Sequence, residues 1–169
     1  MKLAFIGAGR VVNWQLDELQ DNCNISISGA YDINPRVNDS LREHGCYLYS
    51  SLDALLEDSP DIIAISTPSQ SHFNIFNDLV ERVDSSTIIT IEKPTFLGQN
   101  QFEKAICISA KKNIRVLPIF QNRYNTAVQH AKGLIAEGQL GDILHGRITL
   151  SWCRPQRYYD QAEWRGNWD

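Results

Sequence analysis

Short, unbroken apolar runs alternate along the chain with longer segments in which apolar residues recur every three or four positions. The runs are typical of strands buried on both faces, and the longer segments are typical of helices with one buried face. The runs predict strands at 3–6, 25–31, 61–66, 87–91 and 115–120. Because strands and helices alternate so regularly, the sequence predicts an α/β fold, a doubly wound parallel sheet that closes near residue 120.

Local signals refine this outline. Asn34 and Pro35 predict the start of a helix that ends near residue 44, and Ser51 is expected to cap a short helix. After residue 120 the pattern changes. A helix is predicted over 127–135, and partial alternation over 142–152 predicts a strand with one packed face.

Composition and charge exclude several classes of protein. The 169 residues carry a net charge of −4 and only short basic clusters, so we expect no nucleic-acid partner. No apolar run approaches the length of a membrane span, and the N-terminus enters a strand without a signal-peptide pattern, so we expect no membrane association. The four cysteines lie far apart, which indicates reduced thiols of a cytoplasmic protein and no metal site.

Two glycines separate the first strand from the first helix. Gly7 would permit a tight turn, and Gly9 would let the backbone approach a pyrophosphate at the positive end of the helix. The third position of this dinucleotide-binding pattern is Val12, where Gly or Ala is usual. The alternative is a glycine turn that binds nothing.

Asp32 ends the second predicted strand, at about the distance past the glycines where a dinucleotide site places its ribose-binding carboxylate. A carboxylate there accepts hydrogen bonds from a ribose 2′-hydroxyl and repels a 2′-phosphate, so it favours NAD over NADP. Arg36 lies nearby and could weaken that preference. The alternative is that Asp32 only ends a strand.

Polar residues also follow the next two strands, at the edge of the sheet where ligands of open α/β folds bind. Thr67-Pro68-Ser69 follows one strand, and Glu92-Lys93-Pro94 follows the other. Charges at the end of a buried strand are costly unless they are paired or used, although a solvated strand end remains the alternative. The tail, 152–169, is rich in Trp, Tyr and Arg, which suit either packing on a partner surface or binding of a sugar or phosphate.

Together these motifs resemble the Gfo/Idh/MocA oxidoreductases. The matching residues are Gly7-Ala8-Gly9-Arg10, Asp32, Thr67-Pro68-Ser69 with His72, Glu92-Lys93-Pro94 and Arg123-Tyr124-Asn125. The tail resembles the branch that oxidises nucleotide-linked N-acetylamino-sugar uronates at C3 for surface-polysaccharide synthesis. The resemblance implies an NAD-binding Rossmann domain, 1–120, and the first part of a substrate and oligomerisation domain, 121–169.

The resemblance also implies roles for individual residues. The pyrophosphate would lie against Gly7, Gly9, Arg10 and Val11, and the adenosine ribose against Asp32. On the nicotinamide side it implies Thr67, Pro68, His72 and Lys93, with Glu92 reaching the nicotinamide ribose. Trp164 and Arg165 would close over the cofactor. Lys93 would be the catalytic base or would orient the substrate hydroxyl, and its bond to Pro94, often cis in this family, is predicted to be cis. Arg123 and Asn125 would face the sugar.

The resemblance implies a truncated enzyme, because the family's second catalytic motif, an Asp and a His, follows a segment like 164–169. We therefore expect the cofactor half of an NAD-dependent sugar or nucleotide-sugar dehydrogenase, catalytically incomplete by itself and associating with further copies through residues after 120. The alternative is a non-catalytic protein of the same fold that binds NAD or a sugar nucleotide. A third possibility is a dinucleotide-type domain that binds no nicotinamide.

Overall fold

A computed structural model describes residues 1–34, 41–42 and 44–161 of the chain. Its strands are β1 (Lys2–Ile6), β2 (Ser26–Tyr31), β3 (Ile62–Ile65), β4 (Ile88–Ile91) and β5 (Arg115–Pro118). They form one sheet in the order β2-β1-β3-β4-β5, and every neighbouring pair is parallel. The predicted doubly wound parallel sheet is therefore confirmed.

The helices of this α/β unit are α1 (Arg10–Leu19), α2 (Leu52–Glu57), α3 (His72–Arg82) and α4 (Gln99–Lys112). Ser51 caps α2 as expected, with its hydroxyl oxygen accepting a hydrogen bond from the Ala54 N–H at 3.1 Å. A short 3₁₀ turn, Ser69–Ser71, leads into α3. The predicted helix over 35–44 lies largely outside the described residues, as do Arg36, Trp164 and Arg165.

The sheet continues beyond β2 by a single parallel bridge that the sequence pattern did not predict. Ala30 donates its N–H to Tyr47 O at 2.8 Å and accepts the Tyr49 N–H at 2.9 Å, so that Leu48 lies beside Ala30. If this bridge is counted as a strand position, the order along the sheet is that of dinucleotide-binding folds. The order reverses between β1 and β3, which is where such folds bind their ligands.

Successive residues of β1 pack against different helices. Ala4 and Ile6 belong to a cluster with Phe76 and Leu79 of α3. Leu3 and Phe5 belong to a second cluster, which contains Val12 and Leu16 of α1. Helices on both faces explain why the first apolar run has no polar residue in it.

The chain divides into two compact units, Met1–Ile119 and Phe120–Asp169. The second contains α5 (Thr126–Ala136) and α6 (Gln156–Tyr159). The strand predicted over 142–152 is wrong: within the described ranges this segment has no hydrogen-bonded strand beside it, and Leu144 and Ile148 are 94% and 96% exposed. Alternation identifies a residue pattern, but a strand also needs a partner. Within the described residues, no helix combines the length and the apolar character that crossing a bilayer demands.

Candidate functional site

The residues that follow β1, β3 and β4 are joined by backbone hydrogen bonds at one edge of the sheet. Ser66 donates its N–H to Ile6 O at 2.8 Å, and Glu92 donates its N–H to Ile65 O at 3.0 Å. Gly7 donates its N–H to Tyr31 O, also at 2.8 Å. The glycine turn, the loop after β3 and the Glu-Lys-Pro turn therefore lie at the carboxyl edge, around the point where the strand order reverses.

The two glycines of the turn have different surroundings. Gly7 has φ +97°, and a Cβ there would lie 2.6 Å from Ser66 O, so this position requires glycine. Gly9 precedes α1 with an ordinary φ of −77°, and a Cβ there would meet no protein atom within 4 Å. The space at Gly9 is open to a ligand that approaches the N-terminus of α1.

Asp32 is tied to this turn by its side chain. Its Oδ2 accepts the Ala8 N–H at 2.7 Å, and its Oδ1 accepts the Asn34 N–H at 2.8 Å. These bonds fix the orientation of the carboxylate beside the turn. Each oxygen keeps capacity for a further hydrogen bond, because a carboxylate has about four acceptor positions.

His72 is 1% exposed and joins two of the loops. Its Nε2 lies 2.8 Å from Thr67 O, and its Nδ1 lies 3.0 Å from Pro94 O and 3.2 Å from Thr95 O. All three partners are carbonyl oxygens, which can only accept a hydrogen bond. A neutral ring donates through one nitrogen, and the imidazolium donates through both. His72 holds the loop after β3 to the Glu-Lys-Pro turn from within the core.

The Glu-Lys-Pro turn combines a buried acid with an exposed base. Glu92 is 9% exposed, and burial raises the pKa of its carboxyl, an effect that the Lys93 N–H and charge partly oppose. The Glu92 Oε1 accepts the Gln15 Nε2–H of α1 at 2.8 Å. Among the described residues, no hydrogen bond or salt bridge holds the exposed Lys93 ammonium, and the Lys93–Pro94 bond is cis, as predicted.

Sequence reasoning missed Gln15. It is one of several polar residues on an amphipathic helix, and its spacing from the glycines does not distinguish it from a solvent-facing residue such as Gln20. Only the packing of α1 against the sheet brings its amide to Glu92, which is 77 positions away in the chain. The signal in the sequence is indirect: a buried Glu92 needs a hydrogen-bond donor, and α1 is one of the elements that could provide it.

The predicted sugar-facing residues belong to the second unit. The Asn125 Oδ1 accepts the Ala127 N–H at 3.0 Å and so caps α5, and the Arg123 guanidinium lies 5.9 Å from the centre of the Phe120 ring. In the tail, the Arg154 guanidinium lies 4.8 Å and 4.4 Å from the ring centres of Trp152 and Tyr158. Stacking of this kind prepares a guanidinium to face a planar or anionic group.

The residues of the first unit fit a dinucleotide. A pyrophosphate needs close approach to a helix N-terminus, and the open space at Gly9 before the ten-residue helix α1 provides it. An adenosine ribose needs an oriented acceptor, and Asp32 provides one beside the same turn.

Comparison with known proteins agrees with this geometry. Residues 1–120 match the model of the family Gfo/Idh/MocA, described as an oxidoreductase family with an NAD-binding Rossmann fold. The structure of a WlbA dehydrogenase from Chromobacterium violaceum, in complex with NADH and UDP-GlcNAcA, superposes with a TM-score of 0.84 at 27% identity over 99% of this chain and 49% of that one. The corresponding Bordetella pertussis enzyme gives a TM-score of 0.82 at 24% identity, over 98% of this chain and 50% of that one.

A curated relative is glucose-6-phosphate 3-dehydrogenase from Bacillus subtilis, which is 24% identical over 148 residues. The match covers 87% of this chain and 41% of the relative. This chain therefore spans about half the length of the solved relatives, and less of this curated one.

Proposed function

The chain belongs to the Gfo/Idh/MocA oxidoreductase family, and from that premise we propose that it is the cofactor-binding portion of an NAD-dependent dehydrogenase of a sugar or nucleotide sugar. The observation that carries the proposal is the Asp32 carboxylate, which is oriented by the Ala8 N–H at the glycine turn. The substrate class is supported by the WlbA relative, whose structure contains UDP-GlcNAcA, and by the glucose-6-phosphate 3-dehydrogenase.

In this proposal the adenosine half of the cofactor lies at the ends of β1 and β2, and the nicotinamide half lies at the end of β4. The turn formed by Gly7, Gly9, Arg10 and Val11 holds the pyrophosphate, and Asp32 accepts hydrogen bonds from the adenosine ribose. Glu92 accepts a hydrogen bond from the nicotinamide ribose. The buried His72 acts on this half indirectly, through the carbonyls of Thr67 and of the Glu-Lys-Pro turn.

The bound NAD would supply a hydride acceptor at the nicotinamide ring. Lys93 is the candidate for the group that takes the proton from the substrate hydroxyl, because its side chain is exposed at the carboxyl edge and no described residue holds its ammonium by a hydrogen bond or salt bridge. A lysine can act as a base only where its pKa is lowered or where a relay removes its proton. Arg123 and Asn125 are proposed to contact the sugar.

The remaining features of the proposal concern the cell and the assembly. We place the protein in the cytoplasm, consistent with the free thiols of Cys23, Cys46, Cys107 and Cys153. We also propose that it forms a homo-oligomer through residues after 120, where many apolar side chains are exposed.

The test is an assay of NAD reduction by absorbance, with UDP-GlcNAcA, glucose 6-phosphate and a substrate-free blank. Both this chain and a version extended to the length of its relatives should be assayed. We expect the extended version to reduce NAD with one of the sugars, and Lys93→Met to abolish turnover while NADH still binds. An extended version that binds NADH but oxidises no sugar of the panel would favour a non-catalytic binding protein.

A further inference from the structure

A side chain of α1 holds the acid of the Glu-Lys-Pro turn. Gln15 is half-buried in the second turn of α1, and its Nε2 donates to the Glu92 Oε1 at 2.8 Å. The hydrogen bond connects the helix that follows the glycine turn with the loop that follows β4. The two proposed halves of the cofactor site are therefore linked through one amide.

Among the described residues, the other hydrogen bond of the Glu92 carboxyl is weaker. Its Oε2 accepts the Lys93 N–H at 3.3 Å, and this donor belongs to the next residue in the chain. A contact with a sequence neighbour does not orient the side chain relative to the rest of the domain. The Gln15 amide is the contact that does so.

The Gln15 amide donates to Glu92, but its own oxygen accepts no hydrogen bond from a described residue. Its Oε1 is buried and has no hydrogen-bond partner among the described residues. A buried polar atom without a partner is destabilising, so such an arrangement calls for an explanation. Orientation of the neighbouring carboxyl is one that the geometry supplies.

We propose that Gln15 is a positioning residue, which holds the Glu92 carboxyl where it can accept a hydrogen bond from the nicotinamide ribose. The inference rests on the proposed function, because it assumes that Glu92 faces that half of the cofactor. It adds a residue outside the glycine motif to the cofactor site. It also predicts that loss of the amide weakens binding of the nicotinamide half of the cofactor and leaves binding of the adenosine half unchanged.

The experiment compares NADH with ADP, which has the adenosine and the two phosphates but neither the second ribose nor the nicotinamide. Gln15→Met keeps an unbranched side chain of similar length and removes the donor. We expect Gln15→Met to weaken NADH binding by about tenfold, as the loss of one hydrogen bond between the ribose and a charged carboxylate implies, and to leave ADP binding unchanged. Gln20→Met is the matched control, because Gln20 is exposed at the end of the same helix.

A second readout separates positioning from a general structural effect. A hydrogen bond donated to a carboxylate favours its charged form, so loss of the Gln15 amide should raise the pKa of Glu92. The step in NADH affinity that follows the titration of Glu92 should therefore move to higher pH in Gln15→Met. The charged or titratable groups that act on Glu92, Lys93 and His72, are unchanged in this variant. If Gln15→Met does not fold, the Gln15 side-chain amide resonance of the wild type should respond to NADH and not to ADP.

The outcomes are distinguishable. Equal loss of NADH and ADP affinity, no loss of either, or a Gln15 resonance that does not change with NADH would overturn the role of Gln15 while leaving the proposed function intact. A wild type that binds neither ligand would instead overturn the proposed function, and this inference with it.

Discussion

Gly7 and Gly9 lie two positions apart, but the missing side chain serves a different purpose at each. At Gly7 the backbone has φ +97° and the position faces Ser66 O, so the fold itself excludes a side chain. At Gly9 the fold would accept a methyl group, and only a ligand would exclude it. Substitution by alanine should therefore separate folding from cofactor binding.

We expect Gly7→Ala to lower the free energy of unfolding by more than about 2 kcal/mol, since it combines an unfavourable φ with a clash against backbone. Gly9→Ala should fold as the wild type does and weaken NADH binding at least about tenfold. Urea unfolding and fluorescence titration measure the two effects. Full NADH affinity in Gly9→Ala would show that no pyrophosphate approaches this position.

Glu92 should make stability depend on pH. Burial raises its pKa in the folded state above its ordinary 4.5, so the folded protein keeps this proton to a higher pH than the unfolded chain. Stability is therefore lost as pH rises from 4.5 towards the raised pKa, and the loss persists above it. Glu92→Gln removes this contribution. The free energy of unfolding of the variant should therefore rise relative to that of the wild type as pH increases from 4.5 towards the raised pKa. A difference that is constant with pH would contradict the assignment.

At the scale of elements, the strands were predictable because both faces of the sheet are covered. Runs such as 3–6 and 62–65 contain no polar residue, and segments with a helix-period pattern lie between successive runs. The bridge at Leu48 was missed because a single pairing leaves no run to detect. The segment 142–152 was overpredicted for the opposite reason: its pattern is present, but a strand depends on a neighbour that sequence periodicity does not supply.

The candidate site shows a similar division. Gly7, Gly9, Asp32 and Glu92 could be chosen from the sequence, since each follows a predicted strand at a position that parallel folds use. Gln15 could not, because its contact depends on how α1 packs. His72 could be placed at the start of α3, but its three carbonyl contacts come from loops that only the fold brings together.

The connection through His72 can be tested with His72→Phe, which keeps a ring and removes both nitrogens. The carbonyl oxygens that accept from the ring would lose their donor within the core, so we expect the free energy of unfolding to fall by about 1–3 kcal/mol or more. His130→Phe is the control, because His130 is exposed on α5. Equal stability of His72→Phe and the wild type would mean that the ring only fills space.

At the scale of the whole molecule, the two units should behave differently. The core of Met1–Ile119 closes within its own strands and helices, whereas the second unit exposes large apolar side chains, among them Leu144, Ile148 and Leu150. Exposed apolar surface of this extent favours association. We expect light scattering to show oligomers of the whole chain and monomers of a 1–119 fragment that still binds NADH. A monomeric whole chain would contradict the proposed assembly.

We propose that the carboxyl edge of this sheet binds NAD, with Asp32 at the adenosine ribose. The most direct measurement is a fluorescence titration of the chain with NADH and with NADPH, repeated for Asp32→Ala. We predict that the wild type binds NADH at least about tenfold more tightly than NADPH, because the Asp32 carboxylate accepts from a 2′-hydroxyl and repels a 2′-phosphate, and that Asp32→Ala narrows the ratio. Equal or tighter binding of NADPH by the wild type would contradict the placement of Asp32 at the adenosine ribose.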